Sequence, residues 1–221
     1  MRRIYVLALA AILTATLITP VKAESVTATL TDDTYYNIIG GPNPAYGSSS
    51  MLEAGLRIMT FLKFNISSIP DGVLGITAML ELYATYGGVV TPHSVAVYQS
   101  DNTAWNEYAP PQEVYPWFEL AVLDLAYVSS EAGWYEWIVT DAIVGTLSNS
   151  TDLVTLILCY PEAVGMTTPS VSFTSKEGSM AEMPKLTIFW EVIPEFESAV
   201  VMALLLVGVS IFAIVVKKQV S

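Results

Sequence analysis

The chain has 221 residues, 53% of them hydrophobic and only 14% charged, and its 21 acidic residues against 9 basic ones give a net charge of −12. Between Glu24 and Glu195 the imbalance sharpens to four basic residues (Arg57, Lys63, Lys176, Lys185) against twenty acidic ones, a net charge of −16. A field of that sign repels nucleic acid and anionic polymers such as polyuronates, favours cations or neutral partners, and also serves plain solubility.

Met1-Arg2-Arg3 followed by the uncharged run Ile4 to Ile18 and by Val21-Lys22-Ala23 has the form of an exported leader. The expectation is a signal helix over residues 1–23 with cleavage after Ala23. The segment 24–193 then reads as one domain. Alternation of period two marks Val26–Leu30, Arg57–Ile66, Ala78–Tyr83, Ser94–Tyr98, Phe118–Tyr127, Trp134–Val139, Val171–Thr174 and Leu186–Glu191 as strands. Leu153–Cys159 is a continuous apolar run and reads as a buried strand. In Arg57–Ile66 the pattern places Ile58, Leu62, Phe64 and Ile66 inward and Arg57, Lys63 and Asn65 outward.

Turn residues separate these runs: Gly40-Gly41-Pro42-Asn43-Pro44, Pro70-Asp71-Gly72, Gly87-Gly88, Pro110-Pro111 and Glu177-Gly178-Ser179. Thr140 is placed to cap one short helix over Asp141–Leu147, with Val139, Ile143 and Leu147 on one stripe. Eight to ten short strands and one helical turn predict an all-β antiparallel sandwich, jelly-roll-like, as an ectodomain. After a four-residue linker, Pro194-Glu195-Phe196-Glu197, the nineteen uncharged residues Ser198–Val216 precede Lys217-Lys218. At about 1.5 Å per residue that run spans roughly 28 Å, enough for a transmembrane helix, and the lysines assign residues 217–221 to the cytoplasm. The expected location is therefore the cell surface, on the outer face of the membrane, with the domain held almost against the lipid.

Cys159 is the sole cysteine, so no internal disulfide forms, and its apolar setting reads as a core thiol. The sole histidine, His93, follows Pro92 in an expected loop, and no G-x-S-x-G, P-loop or H-E-x-x-H sequence is present. Catalysis therefore has little support. Aromatic residues make a stronger case: Tyr108, Tyr115 and Trp117 stand among asparagine, prolines and acids, the mixture that stacks on sugar C–H faces and bonds sugar hydroxyls. Trp105 reads as packing. Asn65-Ile66-Ser67 and Asn149-Ser150-Thr151 are sequons, Asn149 being the more accessible acceptor.

Asp33-Thr34-Tyr35, the stretch Asn43-Pro44-Ala45-Tyr46-Gly47-Ser48-Ser49-Ser50-Met51-Leu52-Glu53, Arg57 with Phe61–Pro70, Ala78–Tyr83, Val95–Tyr98, Trp105-Asn106-Glu107, Trp134–Asp141, Phe173–Glu177 and Pro184-Lys185-Leu186 together resemble the DNRLRE family of extracellular β-sandwiches. That resemblance implies a carbohydrate-binding-module fold. Resemblance to sandwiches that tie their ends with calcium makes Asp32, Asp33 and Glu177 candidate ligands of a structural calcium ion, although no D-x-D-x-D-G loop is present. Pro194-Glu195-Phe196 ahead of the apolar run is similar to an archaeal sorting signal, which implies exchange of the tail for a lipid anchor in place of a lasting span. The sequence thus predicts a surface-anchored, non-catalytic module that binds polysaccharide or a surface-layer glycoprotein and no nucleic acid. The competing expectation is a structural envelope protein without a sugar ligand.

Overall fold

The structure, a computed structural model, describes residues 22–37, 46–85, 93–109, 121–161 and 170–192. The expected signal peptide, linker, membrane span and tail lie outside them, apart from Lys22 and Ala23. Among the described residues no helix is long and apolar enough to cross a membrane.

Glu24–Trp190 forms one compact unit. Its strands are β1 (Lys22–Asn37), β2 (Met51–Ala54), β3 (Ile58–Asn65), β4 (Leu74–Ala84), β5 (His93–Ser100), β6 (Val122–Val128), β7 (Gly133–Ile138), β8 (Leu153–Cys159), β9 (Val171–Thr174) and β10 (Lys185–Val192). One helix, α1 (Thr140–Ser148), lies between β7 and β8. The strands follow the order β2-β9-β4-β10-β1-β3-β8-β5-β6, with β7 on β4. Every register recorded is antiparallel.

β1 has β10 on one side and β3 on the other, so it belongs to both halves of the fold. Its pairing with β3 slips between Leu30 and Asp32, a bulge of the kind that bends a strand from one layer into the next. The halves then face one another. Trp137 of β7, fully buried, donates its indole N–H across the interior to the Val95 carbonyl of β5 at 2.9 Å. Leu80, Leu82, Phe173 and Ile188 from one half and Leu62, Phe64, Leu156 and Val97 from the other complete a core with no measurable exposure. The all-β antiparallel expectation with one short helix is met.

Three local expectations change, and one strand is added. β3 has no wet face: Met59, Phe61 and Lys63, outward by parity, are buried with Ala96, Tyr98, Ile157 and Cys159 under Trp105. The reason is a remote segment laid over the sheet, which strand periodicity cannot encode. Thr140 does not cap α1; Val139 is the N-cap residue with no side-chain cap bond, and the Thr140 hydroxyl instead accepts the Ala78 N–H of β4 at 3.0 Å. His93 opens β5 and stacks on Tyr160 with ring centroids 5.0 Å apart, so it is a strand residue and not a loop one. The four-residue strand β2 fell within a stretch without clear alternation; it pairs Met51–Ala54 with Thr174–Val171 of β9. Cys159 is buried as expected, and burial pushes its thiol up to about 12.

Candidate functional site

Two neighbouring acids on a strand point to opposite faces, and β1 uses both. Asp32 lies opposite Lys63 in the β1–β3 register and takes its ammonium at 2.9 Å. Burial alone would raise the Asp32 pKa, but Lys63, the Thr31 hydroxyl and the Glu107 N–H outweigh it and hold the carboxyl below its usual value. Lys63 also donates to the Trp105 carbonyl and lies 4.8 Å from the centre of the Trp105 ring. Asp32 is thereby committed to a structural pair, and it does not join Asp33 and Glu177 as the sequence led us to expect.

Asp33 takes the other face, where it is 1% exposed. There its carboxylate meets those of Glu107 and Glu177, with one oxygen from each within 4.8 Å of the others. Three distant segments supply these acids. Glu107 comes from the turn that follows the buried Trp105, and Glu177 from the turn after β9. A fourth segment, Tyr46–Ser50, seats them. A Cβ at Gly47 would lie 2.3 Å from the Glu107 carbonyl oxygen, and one at Gly178 would lie 2.7 Å from the Ser50 carbonyl oxygen, so only glycine allows these backbones to approach. Tyr46 stacks on Tyr35 at 4.3 Å and donates its N–H to the Thr34 hydroxyl at 3.1 Å. Ser175 donates its N–H to the Ser50 carbonyl at 3.2 Å and its hydroxyl to the Ser49 carbonyl.

Lys176 brings the one ammonium recorded in the cluster. It forms an ion pair with Glu107, lies 3.4 Å from Glu177 and donates to the Thr31 carbonyl at 3.2 Å. Burial works against its charge, but Glu107, Glu177 and Asp33 together raise its pKa. Asp33 Oδ2 accepts the Lys176 N–H at 2.8 Å, whereas Asp33 Oδ1 is buried without a hydrogen-bond partner. Burial, helped by the charge of Glu177, pushes the Asp33 carboxyl up to about 7. Glu107 and Lys176 were missed as site residues from sequence. The only sign was that each lies inside a segment carrying the family resemblance, with nothing local to mark its charge as functional.

The turn holding Glu107 also presents Tyr108. Asn106 Oδ1 accepts the N–H groups of Tyr108 and Ala109 at 3.0 and 3.1 Å, and Ala109 N–H bonds the Asn106 carbonyl at 2.9 Å. Beneath, the Trp105 indole donates to the Thr155 hydroxyl at 3.0 Å. The Tyr108 side chain is thus carried on a turn fixed from both sides while 70% of the residue stays exposed. Glu107 beside it raises the Tyr108 pKa, first by a hydrogen bond and then by its charge. Tyr115 and Trp117 lie outside the described residues. Of the sequons, Asn149 is exposed at the end of α1, whereas Asn65 is half-buried with its Oδ1 taken by the Ser67 N–H at 2.8 Å.

A tight cluster of acids able to hold a cation and a rigid exposed aromatic are binding features. No curated protein matches the chain. Residues 24–189, which take in both features, match carbohydrate-binding module family 96, and the chain belongs to that family.

Proposed function

We propose that the chain is a non-catalytic module, anchored on the outer face of the cell membrane, that binds a neutral or cationic polysaccharide or the glycans of a surface layer. The observation that carries this reading is Tyr108, an exposed ring on a pinned turn in a domain of a carbohydrate-binding family. A preformed aromatic face costs little ordering entropy when a sugar stacks on it. Tyr115 and Trp117, close in sequence, extend the proposed platform. The net charge of −16 between Glu24 and Glu195 argues against polyuronates as ligands.

The anchoring part rests on sequence. The family match starts at residue 24, directly after the proposed cleavage site, and Pro194-Glu195-Phe196 with the apolar run supports a DNRLRE-type surface protein with an archaeal sorting tail. Asn149, exposed, is the proposed glycan acceptor.

Glycan-array binding of the full-length chain in detergent, compared with Tyr108→Ala and with Tyr115→Ala/Trp117→Ala, tests the proposal. Binding to a neutral or amino-sugar polymer that falls at least about tenfold in the variants supports it. Absence of binding to any glycan would sink it and favour the alternative, a structural envelope protein. One feature supports that alternative: β6, at the end of the strand order, exposes Val122, Leu125 and Tyr127, a surface open to a neighbouring chain.

A further inference from the structure

We infer that Asp33, Glu107 and Glu177 form a site for one hard divalent cation of the calcium class, for which the ammonium of Lys176 is a built-in competitor. The inference is independent of whether a sugar binds at Tyr108. Three carboxylates converge within 4.8 Å, and Lys176 is the one cation recorded among them. The ammonium pairs with Glu107, lies 3.4 Å from Glu177 and donates to the Thr31 carbonyl, yet Asp33 Oδ1 and Glu107 Oε2 are both buried without a hydrogen-bond partner. A buried carboxylate oxygen without a donor is costly, and a metal cation is one partner that would relieve it.

The oxygen supply fits calcium. Asp33 Oδ1, the two glutamates and the Thr31 carbonyl are hard donors, and calcium accepts mixed, irregular sets completed by water. Magnesium demands a regular octahedron at shorter distances, which acids from three separate backbones supply less readily. Entry is open because Glu177 has 30% of its side chain exposed and Lys176 has 23%. The long lysine side chain can therefore swing into solvent as the ion takes its place.

The test is calcium uptake by the full-length chain in detergent, by titration calorimetry and thermal melting, against magnesium and against sodium at matched ionic strength. One calcium per chain is expected, with half-saturation at roughly 0.1–1 mM and a melting temperature that rises with the ion. Asp33→Asn and Glu177→Gln should each weaken uptake at least about tenfold. Lys176→Met should tighten it, because the competitor is gone. No uptake by about 10 mM calcium would overturn the site. Equal uptake by Glu177→Gln, an exposed position tolerant of substitution, would assign the ion to scattered surface acids and also overturn it. Weaker uptake by Lys176→Met would overturn the competition.

Discussion

The two halves of the sheet share one core but treat their outward faces differently. On β3, β8 and β5 the outward residues Phe61, Ile157, Tyr98, Ala96 and Cys159 are buried beneath Trp105, and Lys63 is drawn under with them. On β4 and β7 the outward pairs Glu81–Glu136 and Tyr83–Trp134 stay at the water, with Trp134 37% exposed. Trp134 meets Tyr83 edge-on at 5.5 Å and has the Lys185 ammonium 4.0 Å over its ring. Alternation along a strand tells which side chains share a face. Whether that face is dry depends on what another part of the chain lays over it.

That contrast can be broken hardest at its roof. Trp105→Ala should cost about 3–5 kcal/mol in urea unfolding, since it opens a cavity over a dry face, frees the Thr155 hydroxyl and takes the ring away from the Lys63 ammonium. Next in size, Lys63→Ala should lose about 1–3 kcal/mol by the same measurement, because Asp32 is left without its cation in a site only partly open to water. Trp134→Ala on the open face should stay within about 1 kcal/mol of the parent, and a loss as large as that of Trp105→Ala would contradict the comparison.

The junction beside the roof should reveal itself through pH. Asp33 has its pKa raised to about 7 in the fold, from 3.8. A raised acid stabilises fully below the unfolded value, and that contribution is lost as pH climbs through the folded one. Melting temperature should therefore decline between about pH 4 and pH 7 on account of Asp33, and Asp33→Asn should flatten that stretch. Asp32, held below its usual value, acts with the opposite sign: its contribution stands above 3.8 and fades as the pH falls further. Smallest of all for stability, Tyr108→Ala should shift unfolding by no more than about 0.5 kcal/mol, while glycan retention drops.

The residues themselves determined most of the described strands and the helix α1. Val171–Thr174 and Leu153–Cys159 coincide with β9 and β8, the first legible from its repeat of two and the second from an unbroken apolar run that fits a strand covered on both faces. Composition also set the sign of the field, and the burial of Cys159 followed from its apolar neighbours. Other features had no local signature. The pairing of Asp33 with Glu107 and Glu177, the diversion of Asp32 to Lys63 and the use of the Thr140 hydroxyl by β4 each join residues far apart in the chain. Adjacent Asp32 and Asp33 look equivalent as sequence, and the alternation of β1 sends them to opposite faces. Only tertiary contact decides which of the two finds an ammonium and which is left with a bare buried oxygen, since charges interact through space and take no account of their separation along the chain.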